Sequence, residues 1–189
     1  MAIDISKGTV RRILTEGDPA LARRCDLVTA FDDPLQGQIA DLAATLADFR
    51  ERSGFGRAIS APQIGITRQI IVMDLGEGPR ALVNPAIIWR SEQTQLVWDD
   101  CLSVPDTLVR VERSTSISIR HRDHRGQVLE WRRLRPDLAE LLQHEIDHLA
   151  GVLMTAHARG PDDIAPSSRR AELIGRRTGK PAFQPTLAT

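Results

Sequence analysis

Apolar side chains at Leu35, Ile39, Leu42, Leu46 and Phe49 recur at intervals of three or four, the spacing that puts them on one face of a helix. Asp33 is read as the N-cap, Pro34 lies in the first turn, and Gly54 follows the last apolar position as a stop. A glycine-rich loop over 54–65 comes next, and the pattern then changes. Residues 69–74 carry the β-branched run Ile70, Ile71, Val72, which favours a strand. Residues 81–88 form a second strand candidate, interrupted by Pro85, which cannot donate to a ladder. Alternating Ser116, Ile117, Ser118 and Ile119, polar residues 123–126, and then 127–131 predict a hairpin. A second helix is expected from Pro136 through Leu138, Leu141, Leu142 and Leu149, ending at Gly151. After Pro161 the chain turns polar and basic, with room for one short helix. These elements predict an α+β fold, with mixed or antiparallel sheets packed around the second helix. One catalytic domain is expected over 1–160 and a polar tail over 161–189.

Composition narrows the class. A chain of 189 residues can bury one sizeable core. Lysine plus arginine equals aspartate plus glutamate at 25 each, so bulk charge offers no hold on nucleic acid. The opening residues lack the basic start and apolar run of a signal peptide, and no apolar stretch is long enough to span a bilayer, so a soluble cytoplasmic protein with no membrane partner is expected. The two cysteines, Cys25 and Cys101, make no disulfide framework and fit a reducing compartment.

The chemistry begins on the second helix. His144, Glu145 and His148 form the pattern H-E-x-x-H. Residues four apart on a helix lie one above the other, so both imidazoles reach a single ion while Glu145 stays beside it to carry a proton. A catalytic centre needs a third protein ligand and an open position. Two candidates compete. Glu172 downstream would complete a zincin-type peptidase, and Cys101 upstream would supply a thiolate.

The run Cys101-Leu102-Ser103-Val104-Pro105, taken with Gln143, His144, Glu145, Ile146, Asp147, His148 and Leu149, resembles the peptide deformylase family. So does the loop 56–63, Gly-Arg-Ala-Ile-Ser-Ala-Pro-Gln, followed by Ile64 and Gly65. The order and separation of the blocks agree, and similarity of layout extends over 10–155. The resemblance implies a hydrolase that removes an N-formyl group, from a formyl-methionyl peptide or a related small formamide, and releases formate. It implies Cys101, His144 and His148 as metal ligands and Glu145 as general base and then acid. Gln63 and the Leu102 backbone N–H become donors to the oxyanion, and Asp147 becomes a candidate for orienting a ligand histidine. Gly56, Arg57, Ala58, Asp100, Glu140 and Leu141 are placed around the substrate. A thiolate with two imidazoles suits iron(II), zinc, cobalt or nickel, and the family favours iron(II) in the cell.

Several positions depart from the family pattern. Ala58 replaces a glycine and Ser60 an alanine, which predicts a crowded substrate loop. Asp99 and Asp100 replace Glu-Gly, keeping an acid that can pair with Arg113. Glu140 stands one turn before His144, where an ionised acid disfavours an apolar group. Together they point to a formylated substrate other than a nascent formyl-methionyl peptide, or to a weakly active or purely metal-binding relative. The plainer reading has Glu140 turned to solvent or paired with Arg132 or Arg133.

Overall fold

The computed structural model describes residues 3–175. Its helices are α1 (Asp33–Ser53), α2 (Pro136–Leu149) and the short α3 (Arg170–Leu173). Its strands are β1 (Ala58–Ser60), β2 (Ile70–Met73), β3 (Arg80–Arg90), β4 (Thr94–Cys101), β5 (Val104–Ser114), β6 (Ile117–Arg122), β7 (Val128–Trp131) and β8 (Ile164–Pro166). They form a five-stranded sheet, β1-β2-β3-β6-β7, and a three-stranded sheet, β4-β5-β8, with antiparallel neighbours throughout.

Strand β2 shows why the larger sheet forms where it does. Its residues alternate between faces, yet all four are apolar and buried, because each face meets a helix. Ile70 and Val72 join Leu35, Ile39, Leu42 and Leu46 of α1. Ile71 and Met73 join Leu138, Leu142 and Leu149 of α2, together with Ile117, Ile119 and Trp131. Fully burying each such side chain contributes roughly 1.5–3 kcal/mol. The smaller sheet has its own cluster, in which Cys101, Val104, Val109 and Val111 pack with Met154. Gln143 ties α2 to this second sheet by imitating a strand neighbour. Its Oε1 accepts from the Ser114 N–H at 3.0 Å and its Nε2 donates to the Ser114 carbonyl at 3.0 Å.

Three local readings are corrected. The N-cap of α1 is Asp32, whose side chain accepts from the Leu35 N–H at 3.1 Å, and Asp33 is the first helical residue. Pro85 does not end a strand, because β3 runs through it with a register shift between Val83 and Ala86 and with Asn84 at φ 51. A bulge absorbs the proline that a regular ladder would reject. The polar stretch after Pro161 contributes β8, which pairs Thr107, Leu108 and Val109 of β5 with Pro166, Ala165 and Ile164, and then α3. Arg176 and Arg177 lie outside the described residues.

Helix α2 stops as its sequence predicts. The Gly151 N–H donates to the His148 carbonyl and the Val152 N–H to the Asp147 carbonyl, with Gly151 at φ 78. A Cβ at Gly151 would sit 2.6 Å from the Ala22 carbonyl oxygen. Gly151→Ala is therefore expected to destabilise the fold by about 1–3 kcal/mol in urea unfolding. A midpoint equal to wild type would show that the loop holding Ala22 yields freely.

Candidate metal centre

Cys101 ends β4, and β4 turns tightly into β5 with Cys101 paired to Val104. That turn points the sulfur at α2. His144 and His148 project from one face of the helix, and the three donor atoms lie within 4.8 Å of one another, all on buried residues. Cys101 Sγ is 3.2 Å from His148 Nε2, which is 3.3 Å from His144 Nε2. Two imidazole nitrogens and a sulfur aimed at one point, with no carboxylate among them, fit a borderline-soft divalent ion. No group of donors among the described residues joins Glu172 to the two histidines. Glu172 lies on α3, paired with Arg169 at 2.5 Å and with 62% of its side chain exposed.

The groups behind the three donors fix their orientation. Asp99 accepts from His144 Nδ1 at 3.1 Å, leaving Nε2 for the centre. Asp99 also takes Arg113 Nη2 at 2.8 Å, the ion pair expected from the sequence. Burial would raise the Asp99 pKa, but His144 and Arg113 together hold it down at about 2. At His144, burial opposes the charged form, yet hydrogen bonds to Asp99 and Cys101 outweigh it and raise its pKa well above the usual histidine value. At His148, burial together with the charges of His144 and Arg113 lowers the pKa well below it, which keeps the ring neutral. Asp147 bridges Arg113 at 2.5 Å and His157 at 2.9 Å, so it supports the centre through the guanidinium while Asp99 orients the ligand directly.

Glu145 stands beside the three donors, 3% exposed. Burial is the main cause of its raised pKa, which His144, Ser60 and Arg57 partly offset. Ser60, expected to crowd the substrate loop, turns inward and is fully buried. Its hydroxyl donates to the Glu145 carboxylate at 2.5 Å and also lies 3.0 Å from the Glu145 carbonyl oxygen. The added oxygen thus faces the Glu145 carboxylate. The 3₁₀ turn Ala61–Ile64 places Gln63, whose Oε1 accepts from the Ser60 N–H at 2.8 Å. Gln63 Nε2 donates to Ser103 Oγ at 3.1 Å and lies 3.7 Å from Cys101 Sγ. Cys25 stays apart in the α2 core, where burial raises its thiol pKa to about 11 and keeps it inert.

A cavity of about 860 Å³ opens over these groups. Gln63, Leu102, His144 and Glu145 lie along it, as do Gly56, Arg57, Ala58, Asp100, Glu140 and Leu141, so every substrate position inferred from the sequence borders one space. Glu140 pairs with Arg57, at the family-like loop, while Arg132 takes Glu130 at 2.8 Å and Arg133 stacks on Trp89. Arg170 of α3 also borders the cavity, its guanidinium 2.6 Å from Asp100 and stacked over the Phe55 ring at 4.0 Å. Nothing in the sequence signals this contact, because the two segments are distant in the chain and the arginine sits in a basic run with no pattern.

Comparison with known proteins identifies the family. The family pattern described as polypeptide deformylase matches residues 10–163. The curated peptide deformylase of Thermotoga sp. (strain RQ2) is 37% identical over 158 residues, covering 84% of this chain and 89% of its own length. The crystal structure of peptide deformylase from Thermotoga maritima superposes with a TM-score of 0.74 at 36% identity, covering 80% of this chain and 99% of the other. A peptide deformylase from Synechococcus elongatus in complex with actinonin superposes with a TM-score of 0.76 at 29% identity, covering 86% and 88%. With a donor set of one cysteine and two histidines, a fold shared over four-fifths of its length and a family pattern spanning all three sequence blocks, this chain belongs to the polypeptide deformylase family.

Proposed function

We propose that this chain hydrolyses the C–N bond of an N-formyl group on a peptide-like substrate and releases formate, using one divalent ion held by Cys101, His144 and His148. The observation that carries the reading is the clustering of Cys101 and His148 with His144, which itself borders one cavity together with Glu145 and Gln63. When bound, the ion would supply Lewis acidity, bringing the pKa of water towards neutrality and polarising the formyl oxygen. Glu145, whose buried carboxylate already favours a proton, accepts one from the attacking water and passes it to the leaving amine. Ser60 holds that carboxylate in place between the two transfers. Gln63 Nε2 and the Leu102 N–H donate to the oxygen on which negative charge develops.

An extended substrate also has somewhere to lie. Strands β1 and β4 are the outer strands of their sheets, and residues of both border the cavity. A peptide could add to either edge through main-chain hydrogen bonds. The actinonin complex of the Synechococcus elongatus relative supports a peptide-like occupant. The soft donor set and the family favour iron(II) in the cell, with zinc, nickel or cobalt as working substitutes. No helix among the described residues is long and apolar enough to cross a membrane, and a cytoplasmic place, where formylated chains are made, follows from the reading.

The test is formate release from formyl-peptides and small formamides by protein loaded anaerobically with iron(II). Gln63→Leu is expected to lower kcat by about 10²–10³-fold while metal content stays constant, the usual effect of losing one oxyanion donor. An unchanged kcat would remove Gln63 from the reaction.

A further inference from the structure

Charged side chains border much of the cavity. Glu140 is one helical turn, about 5.4 Å of rise, below His144 on α2, and its side chain is only 4% exposed. Arg57 reaches it from the loop that leads into β1, with Nη1 donating to the Asp137 carbonyl at 3.1 Å and Nη2 to Glu140. Both residues border the cavity that holds Glu145 and Gln63. Two more acids there are matched in the same way, Asp99 by Arg113 and Asp100 by Arg170, while Glu145 takes the Ser60 hydroxyl. Apart from Glu145, the wall is thus rich in hydrogen-bonding groups whose charges are met by a partner of opposite sign.

Resting on the deformylase reading, we propose that Arg57 and Glu140 select formylated substrates whose first side chain is neutral and polar, a hydroxyl or a carboxamide, over those with an apolar one. A formyl group delivered to the donors on the cavity floor leaves the adjacent side chain in the same space, a helical turn from His144. An apolar chain pressed against a buried ion pair strips its remaining water and returns no hydrogen bond. A carboxamide or hydroxyl replaces that water in kind. A charged chain gains less, since each fixed charge already has its partner and a like charge stands next to it.

The pair is removed as a pair, because taking one partner alone leaves a buried charge uncompensated. The kcat/KM values for formyl-Gln-Ala-Ser and formyl-Met-Ala-Ser are compared between wild type and the double variant Arg57→Leu/Glu140→Leu, each loaded anaerobically with iron(II) and with metal content measured. Wild type is expected to prefer the glutamine peptide, and the double variant to shift the ratio at least tenfold towards methionine. A variant that folds poorly loses both activities alike and leaves the ratio unmoved; the reciprocal pair Arg57→Met/Glu140→Gln, which keeps the volumes close, is measured beside it. A wild-type preference for methionine, or a ratio unchanged in both variants that still turn over, overturns the selectivity. Absence of formate from every peptide with wild-type protein that binds iron overturns the deformylase reading itself.

Discussion

Replacing Cys101 with alanine is expected to empty the centre and stop the reaction, with bound metal falling from about one ion per chain to a small fraction and formate release falling by at least about 10³-fold. The sulfur lies 3.2 Å from His148 Nε2 and its residue is 3% exposed, so no other described donor can move into its place without unpacking the turn between β4 and β5. Of the two acids that directly precede Cys101 in the chain, Asp99 is already bonded to His144 and Arg113, and Asp100 to Arg170. Glu172→Ala is the matching control and should change neither quantity, since that side chain is exposed and bonded to Arg169. Metal analysis with circular dichroism separates loss of the ion from loss of fold. Full metal retention by Cys101→Ala would return the choice to a peptidase-like ligand set.

The second large effect is expected from Glu145→Gln, and it has the opposite signature. The amide matches the carboxylate in size, and its oxygen can still accept from the Ser60 hydroxyl that now lies 2.5 Å from Glu145. The ligands stay in place and the ion stays bound. What disappears is a group able to take a proton and return it, a contribution of about 10²–10⁴-fold in rate. Single-turnover formate release on metal-loaded protein reads this directly. Activity within a few-fold of wild type would mean that the proton travels by another route and that Glu145 is there for structure.

The sequence exposed those features whose cause is local. Helix α2 was legible because its leucines, Pro136 and Gly151 all lie within one stretch, and the ligand histidines are fixed by helical spacing once the helix is accepted. Helix α1 was legible for the same reason, apart from its cap, where two adjacent aspartates compete and only the backbone decides for Asp32. The strands of the smaller sheet were hidden. Thr94–Cys101 has Leu96, Val97 and Trp98 in a row between two polar pairs, with Leu96 exposed, so no clean alternation marks it. Cys101 as a ligand came from its neighbours and a family likeness, because an isolated cysteine is by default a packed thiol, as Cys25 is. Contacts that join distant segments left no trace at all. Ser60 with Glu145, Arg57 with Glu140 and Arg170 with Asp100 are each made by the tertiary fold, and the polarity of the cavity wall follows from them.

The three donors come from different halves of the fold. The sulfur belongs to the three-stranded sheet, while both imidazoles belong to a helix whose apolar face is packed on the five-stranded one. An ion held between them would act as a rivet through two plates that otherwise meet by side-chain packing, the Gln143 amide and the bonds of Asp99 to His144 and of Arg113 to Asp147. Its affinity would then be partly spent on keeping those plates together, so chelation would loosen the seam before it unravels either half.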